Sequence, residues 1–292
     1  MIFLVRKHPF RQYKEDVMKG CIINKLTIGI MIGCIPCSLL AADGRTTFQY
    51  EHKFKTTDRR HHDTLKLIHK TPELWHFEVK FGTSAGSSRN YDVAYDDMQG
   101  GSGGLVLQKD FRLLERRATL TPSMEFSFGN TSLTYQPGTR LSYSINKEWS
   151  VYGRYRYELK KLTRDYRYNT ISKSDKYGHA GEVYRSRSDT GRHRLDSGVS
   201  YSGIPHLQLS YVFNYFIGDN INDSWSYKNG VFTANQYAVY NGKKTDTEQQ
   251  FKIAVRYFKQ FRPYLEVDDV TVSGNSKSRQ QQYKIGFNYL FD

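Results

Sequence analysis

Cysteine is missing from everything beyond residue 42: Cys21, Cys34 and Cys37 are the only three in 292 residues. A mature chain without thiols closes no disulfides and ligates no zinc through thiolates. Long apolar runs are missing too. Outside the first 42 positions there is no stretch of roughly 20 apolar residues, the length a membrane-crossing helix needs. The hydrophobic fraction is 38% and the mean hydropathy −0.67. These shortages exclude a helical membrane protein, and the composition excludes coiled coil and collagen. Acidic charge is also scarce, with 29 Asp+Glu against 43 Lys+Arg, a net +14. Aromatics are not scarce: 17 Phe, 23 Tyr and 3 Trp make up 15% of the chain, which excludes simple disorder. With 23 Gly beside them, the chain reads as a Tyr- and Gly-rich, polar, basic β protein.

The first 42 residues read as a label for export. Lys19 and Lys25 precede an apolar stretch over 26–35, followed by small residues ending in Ala41-Ala42 and then polar Asp43. A basic start, a short apolar run and a small residue before a polar one form a secretory signal, with cleavage expected after Ala42. Met18 stands directly before Lys19, so Met1 and Met18 are both open as starts. The expected division is a signal and extension over 1–42 and one β domain over 43–292. That segment holds six of the Lys+Arg and two of the Asp+Glu, so the remainder keeps a net charge of +10.

From Asp43 onward the dominant period is two, which places alternate side chains on opposite faces of a strand. At the C-terminus Tyr283, Ile285, Phe287, Tyr289 and Phe291 share one face, and Lys284, Gly286, Asn288 and Leu290 the other. Leu209, Tyr211, Phe213, Tyr215 and Ile217 oppose Gln208, Ser210 and Asn214 in the same way. About twelve such segments are predicted, near 44–54, 62–71, 73–83, 102–112, 117–128, 133–145, 149–158, 192–202, 206–217, 247–258, 261–272 and 280–291. Most have the length of a tilted strand crossing a bilayer, and an even count is the rule for single-chain bacterial barrels. A secreted β-sandwich, the soluble alternative, has shorter strands.

The connections favour the barrel. Every second one is tight, at Thr71-Pro72-Glu73, Leu114-Glu115, Asn146-Lys147-Glu148, Gly203-Ile204-Pro205 and Lys259-Gln260. Among the others, 84–101, 159–191 and 218–246 are long and polar. Short periplasmic turns alternating with longer external loops characterise an outer-membrane barrel. The predicted fold is therefore all-β: a transmembrane, antiparallel, up-and-down β-barrel of twelve strands. Lys109 is the awkward residue, falling on the apolar face with Leu105, Leu107 and Phe111. Either it sits near an interface and snorkels, or a bulge shifts the register there.

On this register the inward bases are Lys53, Lys66, Lys80, Arg112, Arg117, Arg140, Arg154, Arg156, Arg192, Arg194, Lys252, Arg256, Arg262 and Lys284. The inward acids are Glu51, Glu78, Asp110, Glu125, Glu158, Asp196, Glu266 and Asp268. A lumen with excess positive charge and low-dielectric walls concentrates anions, and guanidinium groups recognise carboxylates bidentately. Arg112, Arg117, Arg140, Arg154, Arg156, Arg192, Arg194, Lys252, Arg256, Arg262 and Lys284 are the candidates for lining a pore and holding an acidic substrate. Tyr152 and Tyr264 could pack on sugar faces. The loop over 159–191 is also basic, with Lys160, Lys161, Arg164, Arg167, Lys173, Lys176, Arg185 and Arg187 among tyrosines. On an exported barrel that pattern suits an anion funnel, a bridge to lipopolysaccharide phosphates or a plain solvated loop, rather than nucleic acid.

Arg154-Tyr155-Arg156-Tyr157, His193-Arg194-Leu195-Asp196 and Tyr283-Lys284-Ile285-Gly286-Phe287 together resemble the oligogalacturonate-specific porin (KdgM) family, which includes other acidic-sugar channels. Arg140-Leu141-Ser142-Tyr143 and Arg262-Pro263-Tyr264-Leu265-Glu266 look like further strands of that family, and the match is best from Leu120 onward. The resemblance implies a monomeric twelve-stranded barrel whose narrow pore carries facing stripes of basic residues. Arg140, Arg154, Arg156, Arg194 and Lys284 would take the lining role by position. Asp292 after Phe291 departs from barrels that end on the aromatic residue itself. The expected function is passive, anion-selective passage of acidic oligosaccharides, oligogalacturonate or similar uronate and sialate sugars, across an outer membrane, with no cofactor and no metal. The alternatives are a barrel hydrolase and a non-conducting structural or adhesive barrel. For a hydrolase the tempting clusters are His61-His62-Asp63, Asp96-Asp97 and Asp268-Asp269, and neither a Gly-x-Ser-x-Gly elbow nor a His-Glu-x-x-His motif occurs.

Overall fold

The computed structural model describes residues 44–57, 59–85, 98–162, 168–171, 180–181, 183–185, 189–219, 224–228, 231–235, 244–272 and 278–291. The expected signal segment, Asp292, Asp96-Asp97 and most of the basic 159–191 loop lie outside them. The strands in chain order are β1 (Arg45–Lys55), β2 (Arg60–Lys70), β3 (Trp75–Ala85), β4 (Met98–Lys109) and β5 (Phe111–Leu113). Next come β6 (Ala118–Gly129), β7 (Ser132–Ser144), β8 (Trp149–Leu162), β9 (Tyr168–Thr170), β10 (Val183–Arg185), β11 (Thr190–Tyr201) and β12 (Leu207–Gly218). The last are β13 (Ser224–Lys228), β14 (Val231–Asn235), β15 (Thr245–Val255), β16 (Phe261–Thr271) and β17 (Arg279–Phe291).

Twelve of these segments form the wall, each hydrogen-bonded to its neighbours in the sheet. β1 pairs antiparallel with β17, from Thr46 opposite Phe291 to Lys55 opposite Gln282, and closes the barrel. β5 continues β4 past Asp110: Gln108 faces Ser123 and Phe111 faces Leu120, so the register against β6 is unbroken and the two make one stave. β9–β10 and β13–β14 are separate two-stranded hairpins inside two of the long connections, which the sequence pattern did not foresee. Apart from the β4–β5 stave, wall strands run 11 to 14 residues. At roughly 3.3 Å per residue and a tilt near 45° they reach about 25–33 Å, the height of a bilayer's apolar band and its borders.

At one rim β6 and β7 are joined by Asn130 and Thr131 alone, while the five predicted tight turns all sit at the opposite rim, which also holds Arg45 and Phe291. Local chemistry closes them. The Asn146 side-chain oxygen accepts from the backbone N–H groups of Glu148 (2.9 Å) and Trp149 (2.7 Å), an Asx turn. Leu74 takes φ 69° and donates its N–H to the Thr71 carbonyl at 3.0 Å.

The layering is inverted relative to a soluble domain. Leu65, Leu105, Leu107, Leu141, Leu195, Ile253, Leu265 and Ile285 are all exposed on the outer face. Toward the short-turn rim this surface turns aromatic, with Trp149 packed on Tyr201 (4.5 Å) and Phe261 on Phe287 (5.1 Å). Amphipathic rings at that level suit a membrane–water boundary. Asn214 and Asp268, by contrast, are completely buried on the inner face.

Lys109 does lie on the outer face, opposite Trp75 at the start of β3. Its ammonium sits 5.0 Å from the Trp75 ring and donates to the Glu73 carbonyl in the turn. The side chain thus leaves the apolar band at the rim. Beside it, hydrogen bonds from Thr71 and the turn backbone hold the exposed Glu73 carboxyl below its ordinary pKa. A second polar group on the outer wall, toward the other rim, satisfies itself. Asp63 accepts from the Tyr50 hydroxyl at 2.7 Å and contacts His52 Nδ1 at 2.9 Å, and His61 Nδ1 lies 3.2 Å from His52 Nε2.

Candidate functional site

Contacts that skip a strand identify the inner, concave face. Arg156 on β8 reaches Glu125 on β6, and the Tyr264 hydroxyl on β16 donates to Glu51 on β1. Following the register from these, Arg112, Arg140, Arg154, Arg156, Arg192, Arg194, Lys252, Arg262 and Lys284 all fall on the inner face. Arg117 stands in the turn before β6, where its carbonyl accepts the Ser144 N–H at 2.8 Å. Arg256 follows β15, and its guanidinium donates to Gln208.

These residues do not form one cluster. At mid-height, three guanidiniums converge on one carboxylate: Asp196 accepts from Arg154 Nε at 2.6 Å, Arg156 Nη2 at 3.1 Å and Arg194 Nε at 2.6 Å. Glu158 takes Arg192 and, at 3.7 Å, Arg194. Glu125 takes Lys80 and, at 3.5 Å, Arg156. Around the wall, Lys284 bridges Glu266 (2.5 Å) and Asp268 (2.8 Å), and Lys252 lies 3.5 Å from Glu266. Among the described residues, no ion pair joins Arg112, Arg117, Arg256 or Arg262 to either group.

Rings lie under the bases. Arg140 sits 4.1 Å over Tyr152, Lys252 3.4 Å over Tyr264, and Arg192 and Arg194 4.6 and 5.0 Å from Phe216. Glycine makes these flat arrangements possible. A Cβ on Gly138 would lie 2.6 Å from Arg156 Cγ, and one on Gly286 2.6 Å from the Tyr264 ring. Phe216 was missed in the sequence because it is an aromatic on the polar side of an alternating strand. Asp246 and Glu248 share the inner face with it and were also missed.

The belt Lys80–Glu125–Arg156–Asp196 separates two cavities. The one toward the long-loop rim, about 450 Å³, is lined by hydroxyls (Ser102, Ser127, Ser132, Thr134) together with Glu158, Lys160 and Arg192. The one toward the short-turn rim, about 380 Å³, is lined by His76, Asp110, Thr121, Arg140 and Arg154.

The clusters that tempted an enzymatic reading are split by the strand period. His61 and Asp63 face outward while His62 faces in, and Asp268 is buried inside while Asp269 pairs with Arg279 at 2.7 Å on the other side. No shared-proton carboxylate dyad can form from that last pair.

Solved structures share the barrel. The NanC porin matches with a TM-score of 0.59 at 19% identity, covering 83% of this chain and 98% of its own. The KdgM porin matches with a TM-score of 0.53 at 14% identity, covering 84% and 99%. In sequence, the oligogalacturonate-specific porin KdgM of Dickeya dadantii (strain 3937) is 21% identical over 248 residues, 84% of this chain and 91% of the relative. Protein YiiY of Salmonella typhimurium (strain LT2) is 22% identical over 240 residues, 82% and 88% respectively. The family profile described as oligogalacturonate-specific porin protein (KdgM) matches residues 39–186 and 187–291, and so takes in every stave of the wall. This closed twelve-stranded barrel therefore belongs to the KdgM family of outer-membrane porins.

Proposed function

We propose that the barrel gives acidic oligosaccharides, oligogalacturonate or similar uronate and sialate sugars, a passive and anion-selective path across the outer membrane. The observation that carries this reading is the guanidinium-lined wall of β8 and β11, where Arg154, Arg156, Arg192 and Arg194 face the lumen in register. A carboxylate-bearing chain meets bidentate donors there at successive heights, weak and numerous enough for it to move on. Arg140 over Tyr152 and Lys252 over Tyr264 pair a charge for the carboxylate with a ring for the sugar face. A solved structure of KdgM in complex with disordered oligogalacturonate supports the substrate class. Arg112, Arg117, Arg256 and Arg262 line the periplasmic exit in this account. The channel acts as a monomer in outer-membrane lipid, with lipopolysaccharide at its outer rim and residues 1–42 removed on export.

Single-channel recording in planar bilayers tests it. In a KCl gradient, Arg154→Gln with Arg156→Gln is expected to move the reversal potential toward the non-selective value. An unchanged reversal potential refutes the role of these arginines.

A further inference from the structure

Asp196 has an odd position for an acid in a pore meant for anions. Its side chain is completely buried, capped by three guanidiniums that satisfy both of its oxygens. Among the described residues no second acid is within ion-pair distance of Arg154, whereas Arg156 and Arg194 each share one, Glu125 at 3.5 Å and Glu158 at 3.7 Å. Arg154 is also the most open of the three, its side chain 27% exposed against 9% and 17%, and it lines the lower cavity.

We propose that Asp196 is a built-in competitor for the substrate: it caps three guanidiniums, from which a sugar carboxylate draws Arg154 away in passing. This rests on the channel reading above and refines it. Each guanidinium has five N–H donors, so three of them offer far more than one carboxylate can accept, and the accessible part of that surplus is on Arg154, which lines the lower cavity. A uronate carboxylate has the same charge and the same planar pair of oxygens as the aspartate. It can therefore take Arg154 from the open side while Asp196 keeps Arg156 and Arg194. When the sugar leaves, Asp196 recaptures Arg154, so the site is never a bare triple cation that would hold an anion fast. The acid thus weakens binding at the point where tight binding would stop conduction.

The test is Asp196→Asn in the full-length barrel, an isosteric change that removes the charge. Folding is first checked by heat-modifiable migration in gels. In planar bilayers with trigalacturonate as the probe, the variant is expected to block roughly tenfold longer per event, the scale of one charge-assisted hydrogen bond set. Its reversal potential should also shift further to the anionic side. Shorter or unchanged block in Asp196→Asn, while Arg154→Gln with Arg156→Gln still lowers selectivity, overturns the competitor role and leaves the channel reading standing. If neither variant changes selectivity or block, both fall. Asp196→Ser is the second variant. Should neither replacement assemble, Asp196 is a structural strut and the proposal is overturned.

Discussion

A lysine moved along the outer wall tests the barrel's orientation in the membrane. Leu105 and Lys109 lie on the same outer face of β4, four residues apart. At about 3.3 Å per residue that is roughly 13 Å along the strand, and at a 45° tilt about 9–10 Å of height. Lys109 escapes at the periplasmic border, where an outward lysine costs about 0–1 kcal/mol and the Trp75 ring returns about 0.5–1 kcal/mol. Leu105, 47% exposed, stands well inside the apolar band, where a lysine cannot reach water at either rim. Leu105→Lys is therefore expected to lose about 2–4 kcal/mol. Lys109→Leu should stay within about 1 kcal/mol of the parent. Gln108→Lys, beside Lys109 but lining the lower cavity, should be nearly neutral. Urea-dependent unfolding from phospholipid vesicles, followed by tryptophan fluorescence and heat-modifiable migration, gives the three values. Equal losses for Leu105→Lys and Gln108→Lys would refute the assignment of faces, and a large loss for Lys109→Leu would refute the snorkelling.

Two further outcomes follow from packing. Gly138→Ala places a Cβ 2.7 Å from the Tyr155 carbonyl as well as against Arg156, and should lower stability by about 1–3 kcal/mol in the same unfolding assay. Gly129→Ala, with nothing within 4 Å, is its neutral counterpart. His52→Ala strips a partner from the outward Asp63 and is expected to cost about 1–3 kcal/mol, whereas the double change His52→Leu with Asp63→Leu removes the polar pair together and should cost less. A double change as costly as the single one would refute that account.

The wall was readable because a membrane barrel writes its two environments directly into a period of two. β17 and β12 alternate along most of their length, broken only by Leu290, Val212 and Phe216 on the inner face, and the predicted inward bases on the strands emerge on the inner face. The ends were less legible. β8 runs to Leu162, four residues past the predicted end, because Lys160 and Lys161 do not interrupt a ladder that has risen above the apolar band. The hairpins β9–β10 and β13–β14 were invisible for the same reason, since above the membrane neither face has to be apolar. What alternation could not supply is distance. It placed Arg154, Arg156, Arg194 and Asp196 on one face but not around one carboxylate, because that depends on how β8 and β11 are staggered. Nor did it reveal that Gly138 and Gly286 are small so that Arg156 and Tyr264 can lie flat.

Those staggers also set how charge is shared around the wall. On the β3–β11 side, the ion-paired belt joins five bases (Lys80, Arg154, Arg156, Arg192, Arg194) to three acids (Glu125, Glu158, Asp196). On the β15–β17 side, Lys252 and Lys284 meet Glu266 and Asp268, two against two. Within these two ion-paired groups the surplus of cation lies in the belt alone. A paired charge presents little beyond a short-range dipole, while an uncompensated one acts over the Debye length of about 8–10 Å at physiological salt. Between these two groups, the attraction felt by an approaching anion is therefore drawn toward β8 and β11. The neutral side offers a lysine over a tyrosine ring, suited to hold the sugar itself. A polyanionic chain sliding between unlike walls would keep its carboxylates turned to one and its ring faces to the other. In the channel proposed above, orientation of that kind would favour acidic sugars over small anions without binding either tightly.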